Sequence, residues 1–279
     1  MRLHPLLLAT AAVGLSGCLT QPQAFSNLTL VWADEFDGPQ GQLPDPANWQ
    51  FDLGTDWGNQ ELQCYTDRAS NASLDGAGNL VITARQESYS STATRGSAAA
   101  PCVSNSYTSA RLTTMGLHEQ EMGRFEARIK IPVSRGIWPA FWMLGTNVAQ
   151  VGWPKAGEID ILENFGRTPS SVFACLHGPR YSASNCLGRR YDLPSGRFDD
   201  DFHVFAVEWS SDRINWFVDS TLYHSIKKSY VPGDWVFDHT FYLLLNLAVG
   251  GGPPGPPDGS TVFPQTMVVD YVRVYRQST

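Results

Sequence analysis

The chain has 279 residues, of which 42% are hydrophobic, 12% aromatic and 17% charged. That balance excludes a disordered chain, which would be poorer in apolar and richer in charged residues. The net charge of −7, without a basic block, argues against a nucleic-acid partner and a polybasic membrane face.

The amino terminus reads as an export signal. Met1 and Arg2 precede an apolar run from Leu6 to Val13. The run is shorter than the roughly 20 residues a helix needs to cross a bilayer. It fits the apolar segment of a secretory signal over residues 1–17. Leu15-Ser16-Gly17-Cys18 resembles the bacterial lipobox, whose Cys becomes the lipidated first residue of the mature protein. On that resemblance Cys18 is the lipidation site, residues 18–27 are a short tether and residues 28–279 form one domain. The protein is then exported and held at the cell envelope, with membrane contact through the anchor alone. Leu19, rather than Asp, after Cys18 favours outer-membrane sorting in a Gram-negative host. An ordinary secretory signal, with Cys18 there by chance, is the alternative.

The rest of the chain reads as strands. Asn79–Ala84, Met122–Ile131, His203–Trp209, Arg213–Asp219, Phe241–Leu247 and Val268–Tyr275 are rich in β-branched and aromatic residues. Met122–Ile131 alternates cleanly: Phe125, Ala127, Ile129 and Ile131 lie on one face, Arg124, Glu126, Arg128 and Lys130 on the other. Turn clusters fall at Ser210-Ser211-Asp212, Pro232-Gly233-Asp234 and Gly250–Gly259. Ser88–Ser106 is low in complexity and is expected to be a surface excursion pinned by Cys102. No segment of helical period stands out. The fold class is therefore all-β, a single antiparallel two-sheet sandwich.

Five Cys are present. Setting Cys18 aside leaves Cys64, Cys102, Cys175 and Cys186, an even number that suits two disulfides in an exported protein. Four Cys allow three pairings. Cys175–Cys186, close in sequence, with Cys64–Cys102 is the favoured one. A metal site is disfavoured, because no Cys-x-x-Cys spacing occurs.

The chemistry concentrates in Gly157-Glu158-Ile159-Asp160-Ile161-Leu162-Glu163-Asn164. Glu158 and Asp160 share a face by the strand period of two. Glu163, five positions on from Glu158, would face the other way. One extra residue, a β-bulge between Asp160 and Glu163, returns it to the same face. The alternative is a solvated acidic face. Three neighbouring carboxylates repel each other, however, and the segment holds no basic residue to relieve them.

Glu-Ile-Asp-Ile-Leu-Glu resembles the catalytic signature of glycoside hydrolase family 16 in its bulged form. The likeness extends through Leu30–Phe36, Trp57–Gln63, Tyr107–Arg111, Gly136–Leu144, His177–Pro179, Leu244–Gly251 and Val269–Tyr275, covering roughly residues 28–276. It is nearest the bacterial laminarinase-like (endo-β-1,3-glucanase) group. The resemblance implies a curved jelly-roll, concanavalin A-like sandwich. It also implies retaining hydrolysis of β-1,3-glucan, with Glu158 as nucleophile, Glu163 as acid/base and Asp160 between them.

No catalytic cofactor is implied, and a monomer is expected. By the same likeness Trp138, Trp142 and Trp153 line the cleft, where an aromatic ring stacks on a sugar face, and His177 lies near the carboxylates. Asn59, Glu61, Arg111 and Asn246 would hydrogen-bond sugar hydroxyls, although each is equally able to hold a loop. Family members often carry a structural Ca²⁺, and the matching positions are Glu35, Gly78 and Asp270. Asp270 is otherwise a solvated strand residue. Two other readings stay open: a relative acting on mixed-linkage glucan or a galactan (agarose, carrageenan, porphyran), and a glucan-binding protein without activity. The second is disfavoured because such relatives typically lack one or both catalytic Glu.

Overall fold

The computed structural model describes residues 24–96 and 100–278. The signal segment, Cys18 and most of the tether lie outside the described residues.

In chain order the strands are β1 (Leu28–Asp34), β2 (Gln50–Asp52), β3 (Gln63–Tyr65), β4 (Ala72–Leu74), β5 (Leu80–Ser91) and β6 (Cys102–Ser109). There follow β7 (Arg111–Thr113), β8 (Glu119–Gln120), β9 (Gly123–Lys130), β10 (Ile137–Gly145), β11 (Glu158–Glu163) and β12 (Ser171–His177). The last six are β13 (Arg189–Asp192), β14 (His203–Trp209), β15 (Arg213–Val218), β16 (Thr221–Lys227), β17 (Phe241–Val249) and β18 (Gln265–Gln277). Among the described residues the α-helical content is the single turn Val148–Val151.

Two sheets face each other. The ten-stranded sheet runs β16-β15-β14-β9-β18-β5-β6-β3, with β1 beside β18 and β4 beside β5. The eight-stranded sheet runs β13-β12-β11-β10-β17-β7-β2, with β8 beside β17. Among the described residues all strand pairs are antiparallel except β3 with β6. This is the expected jelly-roll sandwich. The alternation read in the sequence places the core: Phe125, Ala127 and Ile129 of β9 are buried between the sheets. In β17, Phe241, Leu243, Leu245, Leu247 and Val249 join that core, so by the strand period Tyr242, Leu244, Asn246 and Ala248 face the other way. That second face of the eight-stranded sheet carries the acids.

Both expected disulfides are formed, Cys64–Cys102 and Cys175–Cys186, each with Cα atoms 5.8 Å apart. A cross-link over loops of these lengths contributes roughly 3 kcal/mol in the chain-entropy account.

Ser88–Ser106 is a surface excursion pinned by Cys102, and its ends pair as strands: Tyr89 with Asn105 and Ser91 with Cys102. Ladder hydrogen bonds need backbone groups rather than apolar side chains, so a Ser- and Thr-rich ribbon pairs as well. The Cys102 cross-link and Arg68, whose guanidinium lies 4.4 Å from the Tyr89 ring centre, hold it in place.

The carboxyl end of the expected tether is docked. The Phe25 amide donates to Glu208 Oε2 at 2.8 Å. Glu208 neighbours the core residues Val207 and Trp209 in β14 and so faces outward from the ten-stranded sheet, where Arg124 also pairs with it. The chain therefore enters the domain on the side opposite the acids.

Candidate active site

The predicted bulge is present. Asp160 pairs with Cys175 and Glu163 with Phe173, so two residues of β11, Ile161 and Leu162, stand against one of β12, Ala174. On the other side Asp160 pairs with Trp142 and Leu162 with Phe141. Ile161 and Leu162 are consecutive, and both enter the core. That double apolar step returns Glu163 to the face of Glu158 and Asp160. From the opposite sheet, Trp216 donates its indole N–H to the Asp160 carbonyl.

Each glutamate receives a ring N–H. Trp153 donates to Glu158 Oε2 at 3.1 Å, and Trp138 donates to Glu163 Oε1 at 3.0 Å. His177 Nε2 stands 2.9 Å from Asp160 Oδ2 and 3.6 Å from Glu158 Oε1. Burial pushes the Glu158, Asp160 and Glu163 carboxyls well above the ordinary carboxylate range, with the Asp160 charge adding to the rise at both glutamates. The cluster therefore retains protons at a pH where free carboxyls have lost them, as a group that must deliver a proton requires.

A second network flanks the acids. Trp142 donates to Asn246 Oδ1 at 2.7 Å, and Asn246 Nδ2 donates to the Tyr65 hydroxyl at 3.2 Å. Tyr65 and Gln63 both donate to Glu61 Oε2, and Gln63 Oε1 accepts the Val249 amide. The Arg111 guanidinium lies between the Trp57 and Trp142 rings, 4.5 and 4.9 Å from their centres, and donates to Asp52 Oδ2 at 2.8 Å.

The sequence profile of Glycosyl hydrolases family 16 matches residues 58–253. The chain belongs to this family. It is similar to the beta-glucanase of Rhodothermus marinus, with 42% identity over 260 residues, 88% of this chain and 85% of that protein. It is similar to the glucan endo-1,3-beta-glucosidase of Cryptopygus antarcticus, with 40% identity over 263 residues, 88% and 90% of the two chains. The laminarinase catalytic domain of Thermotoga maritima MSB8 superposes with a TM-score of 0.83 at 44% identity, over 91% of this chain and all of that one.

Within this glycoside hydrolase the residues expected in the cleft divide by what they touch. Glu158, Asp160, Glu163, Trp138, Trp153 and His177 form one contiguous polar cluster. Trp142, Asn246, Glu61 and Arg111 form the flanking network. Trp153 is 47% exposed and offers a ring face, whereas Trp138 is 8% exposed and serves Glu163 mainly through its N–H. Gly251, at φ +107°, admits Trp138 closely: a Cβ there would stand 3.2 Å from the indole. Asn59 has an exposed side chain, and its carbonyl accepts the Gly252 amide, so it holds a loop.

Asp52, Trp57, Gln63 and Tyr65 were not singled out from the sequence. Trp57, Gln63 and Tyr65 lie in or beside the matched Trp57–Gln63 segment, which was the available signal. Asp52 had none, because its partner Arg111 is 59 positions away.

The expected Ca²⁺ positions lie on or beside the ten-stranded sheet. Gly78 is next to the Glu35 carbonyl, which would be 3.9 Å from a Cβ placed there. Asp270 sits where β18 shifts register against β9. The Glu35 carboxylate takes both Arg273 nitrogens, and Arg128 takes Asp270 Oδ2. The donors that fit a hard cation are therefore backbone carbonyls and Asp270 Oδ1, with the Glu35 carboxylate already committed.

Proposed function

We propose that this enzyme is a retaining endo-glycosidase that hydrolyses β-1,3-glucan by double displacement. The observation that carries the reading is the bulge, which sets Glu158, Asp160 and Glu163 on one face, with an indole N–H on each glutamate and His177 beside Asp160. The named activities of the similar proteins support the choice of glucan.

Glu158 attacks the anomeric carbon while Glu163 gives its proton to the departing glycosidic oxygen. Burial and the Asp160 charge keep that proton on Glu163 beforehand. Once Glu158 is esterified, its charge is gone and Glu163 ionises more readily. Glu163 then takes a proton from water, the water attacks the anomeric carbon, and the ester to Glu158 breaks. Trp153 and Trp138 hold the two carboxyls in line, and Trp153 offers its exposed ring to a sugar face.

The test is reducing-end release from laminarin, mixed-linkage β-glucan, agarose and κ-carrageenan in parallel, with product anomers followed by proton NMR. Release of short oligomers from laminarin with retained β configuration supports the reading. A galactan preference keeps the mechanism and moves the substrate. Binding without release on any of the four rejects the enzymatic reading. Inverted product rejects Glu158 as nucleophile.

Two further readings belong here. A structural Ca²⁺ would be held by the Glu35 and Gly78 carbonyls with Asp270, and would supply charge that ties β18 to the loop after β4. A lipid anchor at Cys18 is supported by Leu15–Cys18 and by the entry of the chain on the face opposite the acids. Attachment there leaves the cleft open to a polymer.

A further inference from the structure

After β12 the chain turns at Gly178–Tyr181, passes through the short helical turn Ala183–Asn185 and returns to pair Leu187 with Leu176. The Cys175–Cys186 disulfide closes this excursion into a covalent ring. His177 and Ala183 are both members of the ring. The Ala183 amide donates to His177 Nδ1 at 3.1 Å.

A backbone amide can only donate, so Nδ1 is the bare, accepting nitrogen. The ring proton of a neutral His177 therefore sits on Nε2, the nitrogen 2.9 Å from Asp160 Oδ2 and 3.6 Å from Glu158 Oε1. The other tautomer would set N–H against N–H at one end and a lone pair against two carboxylates at the other.

The amide is held there at some cost. Ala183 is at φ +50°, in the left-handed region that a side chain disfavours by roughly 1 kcal/mol or more. The ring restrains it: the Cys186 amide donates to the Ala183 carbonyl at 3.1 Å, and Cys186 is bonded to Cys175. Cys175 in turn is the cross-strand partner of Asp160. One covalent ring thus fixes both the histidine and the strand position facing its acceptor.

We propose that the Cys175–Cys186 disulfide is a positioning element for the reaction, acting through the Ala183 amide to hold His177 in its Nε2–H form toward Asp160 and Glu158. This rests on the assignment of those acids to the reaction. Under this proposal full turnover requires the oxidised pair, as an exported protein provides.

The test compares wild type with a Cys175→Ala/Cys186→Ala variant, using ¹⁵N-labelled histidine NMR and steady-state hydrolysis of laminarin. Wild-type His177 is expected to show a protonated Nε2 and a bare Nδ1. In the variant the tautomers mix and kcat falls on the order of tenfold, with KM within about twofold. Cys64→Ala/Cys102→Ala also loses stability but keeps the His177 signal. His177→Gln carries an amide N–H in place of Nε2–H and has no tautomer. In that background, loss of Cys175–Cys186 is expected to cost less than about twofold further in kcat.

Should the double variant fail to fold, folded Cys64→Ala/Cys102→Ala protein treated with a phosphine supplies the comparison. The remaining disulfide becomes two thiols, the phosphine becomes its oxide, and water supplies the oxygen and both protons. A protonated Nδ1 in wild type overturns the proposal. So does unchanged tautomer and kcat without the disulfide, or an equal loss in both His177 backgrounds. If Glu158→Gln keeps turnover, the site assignment itself falls. If Glu158→Gln is inactive while the disulfide is dispensable, only this proposal falls.

Discussion

Trp216 reaches from the ten-stranded sheet through the core and donates its indole N–H to the Asp160 carbonyl at 2.8 Å. The acceptor lies where β11 loses register with β12. The bond crosses between the sheets to the point on which the alignment of Glu158 and Glu163 depends. Trp216→Phe keeps most of the ring and removes the donor. Leaving a buried carbonyl without a partner costs about 1–3 kcal/mol. We expect a loss of that size in urea unfolding, together with a fall in kcat. A fall in stability with kcat intact would mean that the bulge holds without Trp216.

The two glutamates separate by leaving group. Glu163→Gln removes the proton donor, so laminarin hydrolysis drops by roughly 10²-fold or more. An aryl glycoside whose phenol leaves without protonation still undergoes the first step, and a burst of phenol is expected. Glu158→Gln loses both reactions. Equal loss of both substrates in Glu163→Gln would move the acid role to another residue.

The buried acids make stability fall as pH rises. Glu158 moves from an ordinary value near 4.5 to about 8 in the fold. Between those values the folded state holds a proton that the unfolded chain has lost. Stability is therefore greatest below the lower value and declines as pH climbs toward the upper one. Glu158→Gln removes the penalty. Its melting temperature should exceed that of wild type at pH 8 and approach it at pH 4. A constant difference across the range would show that Glu158 is not held protonated.

A chelator tests the calcium reading. EDTA should lower the melting temperature and leave initial rates unchanged at a temperature where the fold persists, because the positions lie on or beside the sheet away from the acids. Added Ca²⁺ should restore it. An unaltered melting temperature, with metal analysis finding none, removes the site.

Part of the site was legible because its pattern is local. Three acids and three aliphatics over six positions cannot all obey a period of two, and a single bulge resolves the conflict. The same holds for the two disulfides, where few Cys leave few pairings. The ends of His203–Trp209 are legible because turn residues follow its apolar run. Ser88–Ser106 is legible as a surface segment from its composition, but its strand pairing is not, because ladder hydrogen bonds use backbone groups that composition does not report.

The remainder depends on partners distant in the chain. Nothing near Asp160 announces Trp216, 56 positions on, and nothing near Trp142 announces Asn246, 104 positions on. The sequence by itself determined the all-β class, the face of the acids and the chemistry they suit, since strand period and carboxylate repulsion act between near neighbours. Only the tertiary structure decided which indole serves which carboxyl and which nitrogen of His177 carries its proton. Those choices follow from hydrogen-bond geometry across strands and sheets, and it exists only once the core has brought them together.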